Sequence, residues 1–202
     1  MIRGIPDHYH IVLASRSPRR NQLLIEAGLK FDVVIKDFQE DYPEHLRGDE
    51  IAEYLAREKA SVFSGNIADN EIIITADTVV WCNNMVLDKP SDYKEAYDIL
   101  SIISGNTHEV ITGVSFISKK QNYTFSEKTK VTFDKLTAEE IDYYIKNYRP
   151  FDKAGAYGIQ EWIGLVANSY IEGSYFNVMG LPVQRLIKEL KEFIIKNDLI
   201  RI

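Results

Sequence analysis

Residues 10–20 read His-Ile-Val-Leu-Ala-Ser-Arg-Ser-Pro-Arg-Arg, and this stretch decides how the N-terminal part of the chain folds. Its apolar start predicts a short strand at 10–14. Ser17 is a suitable helix N-cap and Pro18 suits the first helical position, so the pattern predicts a helix that begins there and stops at Gly28. A strand that runs directly into a helix is a building unit of α/β proteins.

Outward from this stretch, hydrophobic periodicity and turn signals predict the remaining elements. In chain order these are a strand at 31–35, a helix at about 49–62, a strand at 71–80, a turn at 83–84, a helix around residue 96, two long strands within 108–133, a helix after the capping box 137–140 and a last helix from about 182. The run at 71–80 is largely apolar, with Asp77 at its polar interruption, which is typical of a central strand buried on both faces. We therefore expect one α/β domain over residues 1–202, with a mixed sheet and helices on its faces.

The composition restricts the compartment and the partners. The chain has 202 residues, of which 45% are hydrophobic, enough for one compact domain. Its 30 acidic and 24 basic residues give a formal net charge of −6, which argues against a nucleic-acid partner. The single cysteine, Cys82, cannot form an internal disulfide and is expected in the core. No apolar run reaches the roughly 20 residues that span a bilayer, so we expect a cytoplasmic protein without a membrane partner.

The segment 15–20 is a candidate anion site because it lies between the C-terminal end of a strand and the N-terminus of a helix. Arg19 and Arg20 add guanidinium groups that match phosphate oxygens. Two arginines in the first helical turn oppose the helix dipole, and a bound anion would compensate their charge. The alternative is that both side chains simply extend into water.

Two carboxylates are candidates for metal or acid–base chemistry. Asp77 follows a buried strand, where open α/β sheets place their ligands, and is suited to bind a divalent cation or to act as a general base. The alternative is a strand-end cap whose carboxylate accepts from local N–H groups. Glu40 lies in a polar acidic loop, where solvation is the ordinary role. A mechanism through an aspartyl phosphate requires a second aspartate two positions after Asp77. Residue 79 is Val, which argues against this mechanism.

Lys59, Lys89 and Lys153 are candidate phosphate ligands, and a surface lysine is the alternative for each. Lys153 lies in the glycine-bearing segment 152–160, which is either able to approach a ligand closely or an ordinary flexible connection. His108 pairs with no Ser or Cys nucleophile in the sequence, which favours a structural role. The chain contains neither a Walker A sequence nor a G-x-G-x-x-G fingerprint, which argues against P-loop kinases and dinucleotide-dependent oxidoreductases.

Several motifs in this order resemble one family, the Maf nucleotide pyrophosphatases, also described as septum-formation inhibitors. The resemblance covers nearly the whole chain and rests on Leu-Ala-Ser-Arg-Ser-Pro-Arg-Arg at 13–20, Ala-Asp-Thr-Val-Val at 76–80, Lys89-Pro90, Ser104-Gly105 with His108, Val110 and Thr112-Gly113-Val114, the segment 152–160, and Asn-Val-Met-Gly-Leu-Pro at 177–182. It implies a two-lobed mixed twisted sheet flanked by helices with a central cleft. It also implies a divalent metal, Mg²⁺, Mn²⁺ or Co²⁺, cleavage between the α- and β-phosphates of a nucleoside triphosphate, and a homodimer.

The resemblance also implies roles for individual residues. Asp77 matches the proton acceptor and metal-side carboxylate, and Glu40 matches the acidic-loop glutamate. The positions tied to substrate specificity are matched by Arg19, Thr78 and Gln160. The matches expected near the triphosphate are Ser15, Arg20, Lys59, Lys89 and Lys153. One departure is visible, because the family usually has glycine after the glutamine, where this chain has Glu161 followed by Trp162.

Within the family, Gln160 favours the branch that acts on dTTP and UTP, because its amide offers one acceptor and two donors to the pairing edge of uracil or thymine. The same hydrolysis directed at methylated or damaged purine nucleotides is the alternative enzyme. A non-enzymatic regulator of cell division that binds nucleotide or DNA is the alternative from another class. The net charge of −6 and the clustering of carboxylates with basic residues disfavour the regulator.

Overall fold

The computed structural model describes residues 5–65 and 67–199 of the chain. These residues form two compact units. Unit 1 takes the described residues up to Asp77, then Thr112–Glu127, and those from Gly180 onward. Unit 2 takes Thr78–Ile111 and Lys128–Met179.

The described residues contain a mixed β-sheet and α-helices. The strands are β1 (His10–Leu13), β2 (Asp32–Val33), β3 (Glu71–Cys82), β4 (Met85–Val86), β5 (Thr107–Ile117), β6 (Asn122–Phe133) and β7 (Asn168–Glu172). The helices are α1 (Pro18–Glu26), α2 (Asp49–Ser61), α3 (Tyr93–Ile103), α4 (Ala138–Tyr148), α5 (Trp162–Val166), α6 (Tyr175–Val178) and α7 (Val183–Leu199), with a short 3-10 helix at Ala154–Ala156. Six strands follow the order β2-β1-β3-β5-β6-β7, and β4, the seventh strand of this sheet, pairs with β3 outside this path. β1 is parallel to both β2 and β3, whereas β4 and β7 are antiparallel to their partners, so the predicted mixed α/β class is confirmed.

The core of unit 1 forms where α2 packs against β1 and β3. Its buried apolar cluster consists of Val12, Ala60, Phe63, Ile67, Ile73 and Ile117. The buried Thr75 hydroxyl donates to the Ala56 carbonyl at 2.6 Å, which ties β3 to α2. Gly113 of β5 meets α2 so closely that an added Cβ would lie 2.1 Å from the carbonyl oxygen of Ala52.

This close approach predicts a large loss of stability for Gly113→Ala. The methyl group would overlap a backbone oxygen that cannot move without displacing α2, and overpacking of this kind costs about 3 kcal/mol or more. The urea midpoint of unfolding should fall accordingly. Gly65→Ala is the matched control, because nothing lies within 4 Å of a Cβ built there. An unchanged midpoint for Gly113→Ala would contradict the packing of β5 on α2.

The core of unit 2 is formed by helices α3 and α4 on the strands. Apolar side chains at helical spacing make the contact: Ala96, Ile99, Leu100 and Ile103 from α3, and Ile141, Tyr144 and Ile145 from α4, all buried with Val80, Val131 and Phe133. The predicted capping box begins α4, since Thr137 Oγ1 accepts from the Glu140 N–H at 3.2 Å and the Glu140 carboxylate accepts from the Thr137 N–H at 2.8 Å. Cys82 is buried in the same core, as predicted.

Other local predictions are confirmed with changes in length. Ser17 caps α1, and Asn83 and Asn84 both have left-handed φ angles, 50° and 62°, as a tight hairpin turn requires. The second strand is only Asp32–Val33, because it is exposed and pairs with β1 alone. No helix within the described ranges is both long enough and apolar enough to cross a membrane.

Candidate active site

The start of α1 in unit 1 carries the basic segment. Ser17 accepts from the Arg20 N–H at 3.4 Å, and Ser15 Oγ accepts from the Ser17 N–H at 3.2 Å. The hydroxyls of this segment therefore shape the turn into the helix. Arg19 is half-buried in the first helical turn, where the helix dipole favours an anion.

The Arg20 side chain does not simply extend into water, which was the alternative to its predicted role as a phosphate ligand. Its Nε donates to the Gly180 carbonyl at 2.8 Å, and its Nη1 donates to the Ala76 carbonyl at 2.8 Å. Burial lowers the pKa of this guanidinium from its usual value, although arginine keeps its charge in proteins. Arg20 thereby fixes the start of α1 to the residue preceding Asp77.

Asp77, Lys59 and Glu40 form one charged cluster in unit 1. Asp77 lies within β3 and not after its end, and its side chain is 11% exposed. Lys59, in the last turn of α2, donates to Glu40 Oε1 at 2.8 Å and also to Asp77 Oδ1. A single ammonium group therefore bridges the two carboxylates that the sequence singled out. An ion pair inside a strand disfavours the alternative of a strand-end cap for Asp77.

The donor set of this cluster fits a small divalent cation. The carboxylates of Glu40 and Asp77 are hard oxygen ligands, and both already contact the same positive charge. Within the described residues, no group of three or more His, Cys, Asp or Glu side chains is arranged to hold a metal ion. Mg²⁺ commonly uses one or two carboxylates and takes its other ligands from water and substrate phosphates. Two carboxylates would therefore be enough for such a cation.

The segment 152–160 of unit 2 is a tightly packed turn and not a flexible connection. Gly155 has φ +71°, its N–H donates to the Leu87 carbonyl at 2.8 Å, and a Cβ added there would lie 2.9 Å from Val80 Cγ2. Ala156 is fully buried with a left-handed φ of 55°, which is uncommon outside glycine. The close packing holds the residues on either side of this turn in place.

Lys153 and Gln160 lie at the two ends of this turn. The Lys153 ammonium is nearly buried and pairs with Asp152 at 2.8 Å and with Glu161 at 3.2 Å. Ile159 is buried, whereas the neighbouring Gln160 is exposed. The turn therefore presents a polar amide to solvent from a rigid backbone.

His108 has the structural role that the sequence favoured. It is 1% exposed, and its Nε2 lies 2.7 Å from the Tyr157 hydroxyl oxygen. Its ring meets Phe133 and Tyr157 edge-on. Burial lowers the pKa of His108 to about 4, so the imidazole is neutral at neutral pH. The contact fastens Tyr157, in the middle of the turn, to the start of β5.

The structure divides the predicted site residues into two groups. Unit 1 contains Ser15, Arg19, Arg20, Glu40, Lys59 and Asp77, and unit 2 contains Thr78, Lys89, Lys153 and Gln160. Thr78 is half-buried in β3, and Lys89 is exposed after β4. Tyr144 was not among the predicted site residues, although it bonds to Glu161 and to the backbone of Gly158. The only signal for it in the sequence is its place on the apolar stripe of α4, which does not distinguish it from an ordinary core residue.

The fold is that of a mixed α/β protein, and these two groups of residues are the candidates for binding phosphate and a cation. The chain belongs to the Maf family, whose model, described as Maf-like protein, matches residues 10–193. A relative from Parabacteroides distasonis, named dTTP/UTP pyrophosphatase, is 50% identical over 186 residues, which are 92% of this chain and 96% of that protein. Another from Flavobacterium psychrophilum, with the same name, is 47% identical over 92% of this chain and 95% of that protein.

A more distant likeness is to a solved structure described as nucleoside-triphosphatase / dITP/XTP pyrophosphatase from Mycobacterium abscessus. It is 10% identical and covers 93% of this chain and 96% of that chain, with a TM-score of 0.41. A TM-score at this level does not define a shared fold.

Proposed function

We propose that this protein is a nucleoside triphosphate pyrophosphatase that hydrolyses dTTP and UTP to the monophosphate and pyrophosphate. The observation that carries the proposal is the Lys59 ammonium held between Glu40 and Asp77, because it brings together a base and a cation site. The names of the relatives that are about half identical over nearly the whole chain support the same activity.

Asp77 is the proposed general base. A water oxygen attacks the α-phosphorus, the bond from that phosphorus to the bridging oxygen breaks, and the water proton passes to the Asp77 carboxylate. Pyrophosphate leaves with the bridging oxygen. Glu40 and Asp77 would hold a divalent cation, Mg²⁺ or Mn²⁺ with Co²⁺ as a further candidate, which would supply positive charge to neutralise phosphate oxygens.

The basic residues are proposed to bind and align the triphosphate. A nucleoside triphosphate carries about four negative charges, so its reaction depends on charge neutralisation and alignment more than on covalent chemistry. Arg19 and Ser15 lie at the start of α1, and Lys89 and Lys153 are the candidates from unit 2. Arg20 supports this role indirectly, because its two bonds to backbone carbonyls hold the start of α1 beside Ala76.

Gln160 and Thr78 are proposed to read the base. Uracil and thymine present an acceptor, a donor and an acceptor along their pairing edge, which an amide can match at adjacent positions. Gln160 is exposed on a turn whose backbone is fixed by packing, so its amide is available to a ligand. Hydrolysis of methylated purine nucleotides remains the alternative substrate class.

The proposal extends to location and partners. A single buried cysteine agrees with a reducing compartment, so we place the protein in the cytoplasm. The net charge of −6 disfavours nucleic acid as a partner. The homodimer implied by the family resemblance stays a prediction.

A panel of nucleotides tests the proposed function. Pyrophosphate release from dTTP, UTP, ATP, GTP and 7-methyl-GTP should be measured with Mg²⁺, with Mn²⁺ and without metal. We expect dTTP and UTP to be preferred, with activity dependent on the metal. A preference for 7-methyl-GTP would replace the substrate class and keep the reaction. Absence of pyrophosphate release from every nucleotide would favour the alternative of a non-enzymatic regulator that binds nucleotide or DNA.

Arg19→Ala and Lys153→Ala are expected to weaken catalysis on every accepted nucleotide alike. Loss of a hydrogen bond to a charged group is worth about 1.5–3 kcal/mol, so kcat/KM should fall by roughly 10- to 150-fold. Lys30→Ala, at an exposed lysine, is the control and should leave kcat/KM unchanged. If either variant lost activity on one base only, that residue would read the base and not the phosphates.

A further inference from the structure

A closed ring of hydrogen bonds joins α4 to the turn that carries Gln160. The Gly158 N–H donates to the Tyr144 hydroxyl oxygen at 3.0 Å, and the Tyr144 O–H donates to Glu161 Oε2. The Glu161 N–H donates back to the Gly158 carbonyl at 2.9 Å. The other carboxylate oxygen, Glu161 Oε1, lies 3.2 Å from the Lys153 ammonium. The Glu161 side chain is therefore both a member of this ring and a partner of Lys153, a candidate phosphate ligand.

The ring of hydrogen bonds lies in the buried interior of unit 2, where hydrogen bonds are stronger than in water. Tyr144 is fully buried, and the Glu161 side chain is 21% exposed. The Tyr144 ring stacks on Tyr148 with centroids 5.1 Å apart, so α4 fixes its orientation. Burial and the bond to Glu161 raise the pKa of the Tyr144 hydroxyl above its usual range, so it stays a donor. A buried group left without its partner costs free energy, which makes this ring sensitive to single-atom changes.

The ring fixes the backbone on both sides of Gln160. Gly158 is so close to the ring that an added Cβ would lie 2.8 Å from the carboxylate carbon of Glu161. Ile159 is buried, and Glu161 is bonded through both its backbone and its side chain. Only the Gln160 side chain between them is exposed. The backbone position of Gln160 thus depends on Tyr144 and Glu161, although neither needs to touch a nucleotide.

We propose that Tyr144 and Glu161 are positioning residues that set base discrimination by holding Gln160 in place, and that Glu161 separately holds the Lys153 ammonium for phosphate binding. The proposal rests on the function proposed above for Gln160 and Lys153.

Three variants separate the two contacts of Glu161. Tyr144→Phe removes only the hydroxyl, and Glu161→Ala removes both contacts. Glu161→Gln keeps an oxygen that can accept from Tyr144 but removes the negative charge beside Lys153. We expect Tyr144→Phe and Glu161→Ala to lower the ratio of kcat/KM for dTTP to kcat/KM for GTP by at least about tenfold, the loss expected for one buried hydrogen bond. Glu161→Gln should keep that ratio and raise KM several-fold for every nucleotide alike.

Tyr9→Phe is the matched control, because the Tyr9 hydroxyl also donates to a carboxylate, Asp198, at 2.7 Å, but within unit 1. It should keep the wild-type ratio, even if its melting temperature falls. Circular dichroism establishes that each variant is folded. If Tyr144→Phe does not fold, the comparison of Glu161→Ala with Glu161→Gln carries the test.

The proposal is overturned if the folded Tyr144→Phe and Glu161→Ala variants keep the wild-type ratio, or if Glu161→Gln lowers it as much as Glu161→Ala does. The wild-type protein is measured first on both nucleotides. A wild type that does not prefer dTTP contradicts the proposed function, whereas a wild type that does, with unchanged variants, contradicts only the roles of Tyr144 and Glu161.

Discussion

Asp77→Asn is expected to abolish turnover while leaving the fold intact. The change keeps the size of the side chain and its oxygen toward Lys59, but it removes the negative charge that accepts the proton and attracts the cation. The loss in kcat should be about a thousandfold or more, since general-base catalysis alone contributes about 10²- to 10⁴-fold. Pyrophosphate release under saturating dTTP measures it.

The control for this variant is another aspartate that pairs with a lysine. Asp98 lies 2.8 Å from Lys94 on the exposed face of α3, so Asp98→Asn removes a similar ion pair away from the cluster. It should leave kcat unchanged, and both variants should give the circular dichroism spectrum of the wild type. Near-normal pyrophosphate release by Asp77→Asn would remove Asp77 from its assigned role.

Gln160→Glu should lower hydrolysis of dTTP and UTP by about a hundredfold or more, because a site built for hydrogen bonds strongly rejects a mismatched edge. A carboxylate only accepts hydrogen bonds, so it cannot donate to the carbonyl oxygens of uracil or thymine. The same carboxylate suits the ring N–H and exocyclic amine of guanine. The substrate profile should therefore shift toward guanine nucleotides, as kcat/KM on each nucleotide will show.

The metal requirement of this variant should stay that of the wild type, because Glu40 and Asp77 are unchanged. Gln184→Glu is the control, since Gln184 is exposed in the first turn of α7. It adds the same charge and should leave the substrate profile unchanged. If Gln160→Glu also kept the wild-type profile, Gln160 would not read the base, and the pyrophosphatase proposal would stand without it.

Elements with strong local signals could be predicted from the sequence. Ser17 and Pro18 start α1, the capping box starts α4, and two asparagines form the turn after β3, because short-range hydrogen bonds and allowed φ angles decide these features. The region from Ala154 to Val178 was not predicted in detail. Its elements are three to five residues long, and packing against the rest of unit 2 decides them more than periodicity does.

The candidate site could be predicted as a set of residues but not as a geometry. Lys59 was proposed as a phosphate ligand, and only the folded chain shows that it bridges Glu40 and Asp77. Arg20 was expected to face an anion or water, whereas its partners include two backbone carbonyls far away in the sequence. Such contacts depend on where separate segments meet, which no local pattern encodes.

The position of bond cleavage is the most direct test of the account. Hydrolysis of dTTP in water enriched in ¹⁸O, followed by mass spectrometry of the products, shows which phosphorus atom the water attacks. We expect one ¹⁸O atom in the nucleoside monophosphate and none in pyrophosphate. Label in pyrophosphate, or formation of the nucleoside diphosphate and inorganic phosphate, would contradict attack at the α-phosphorus.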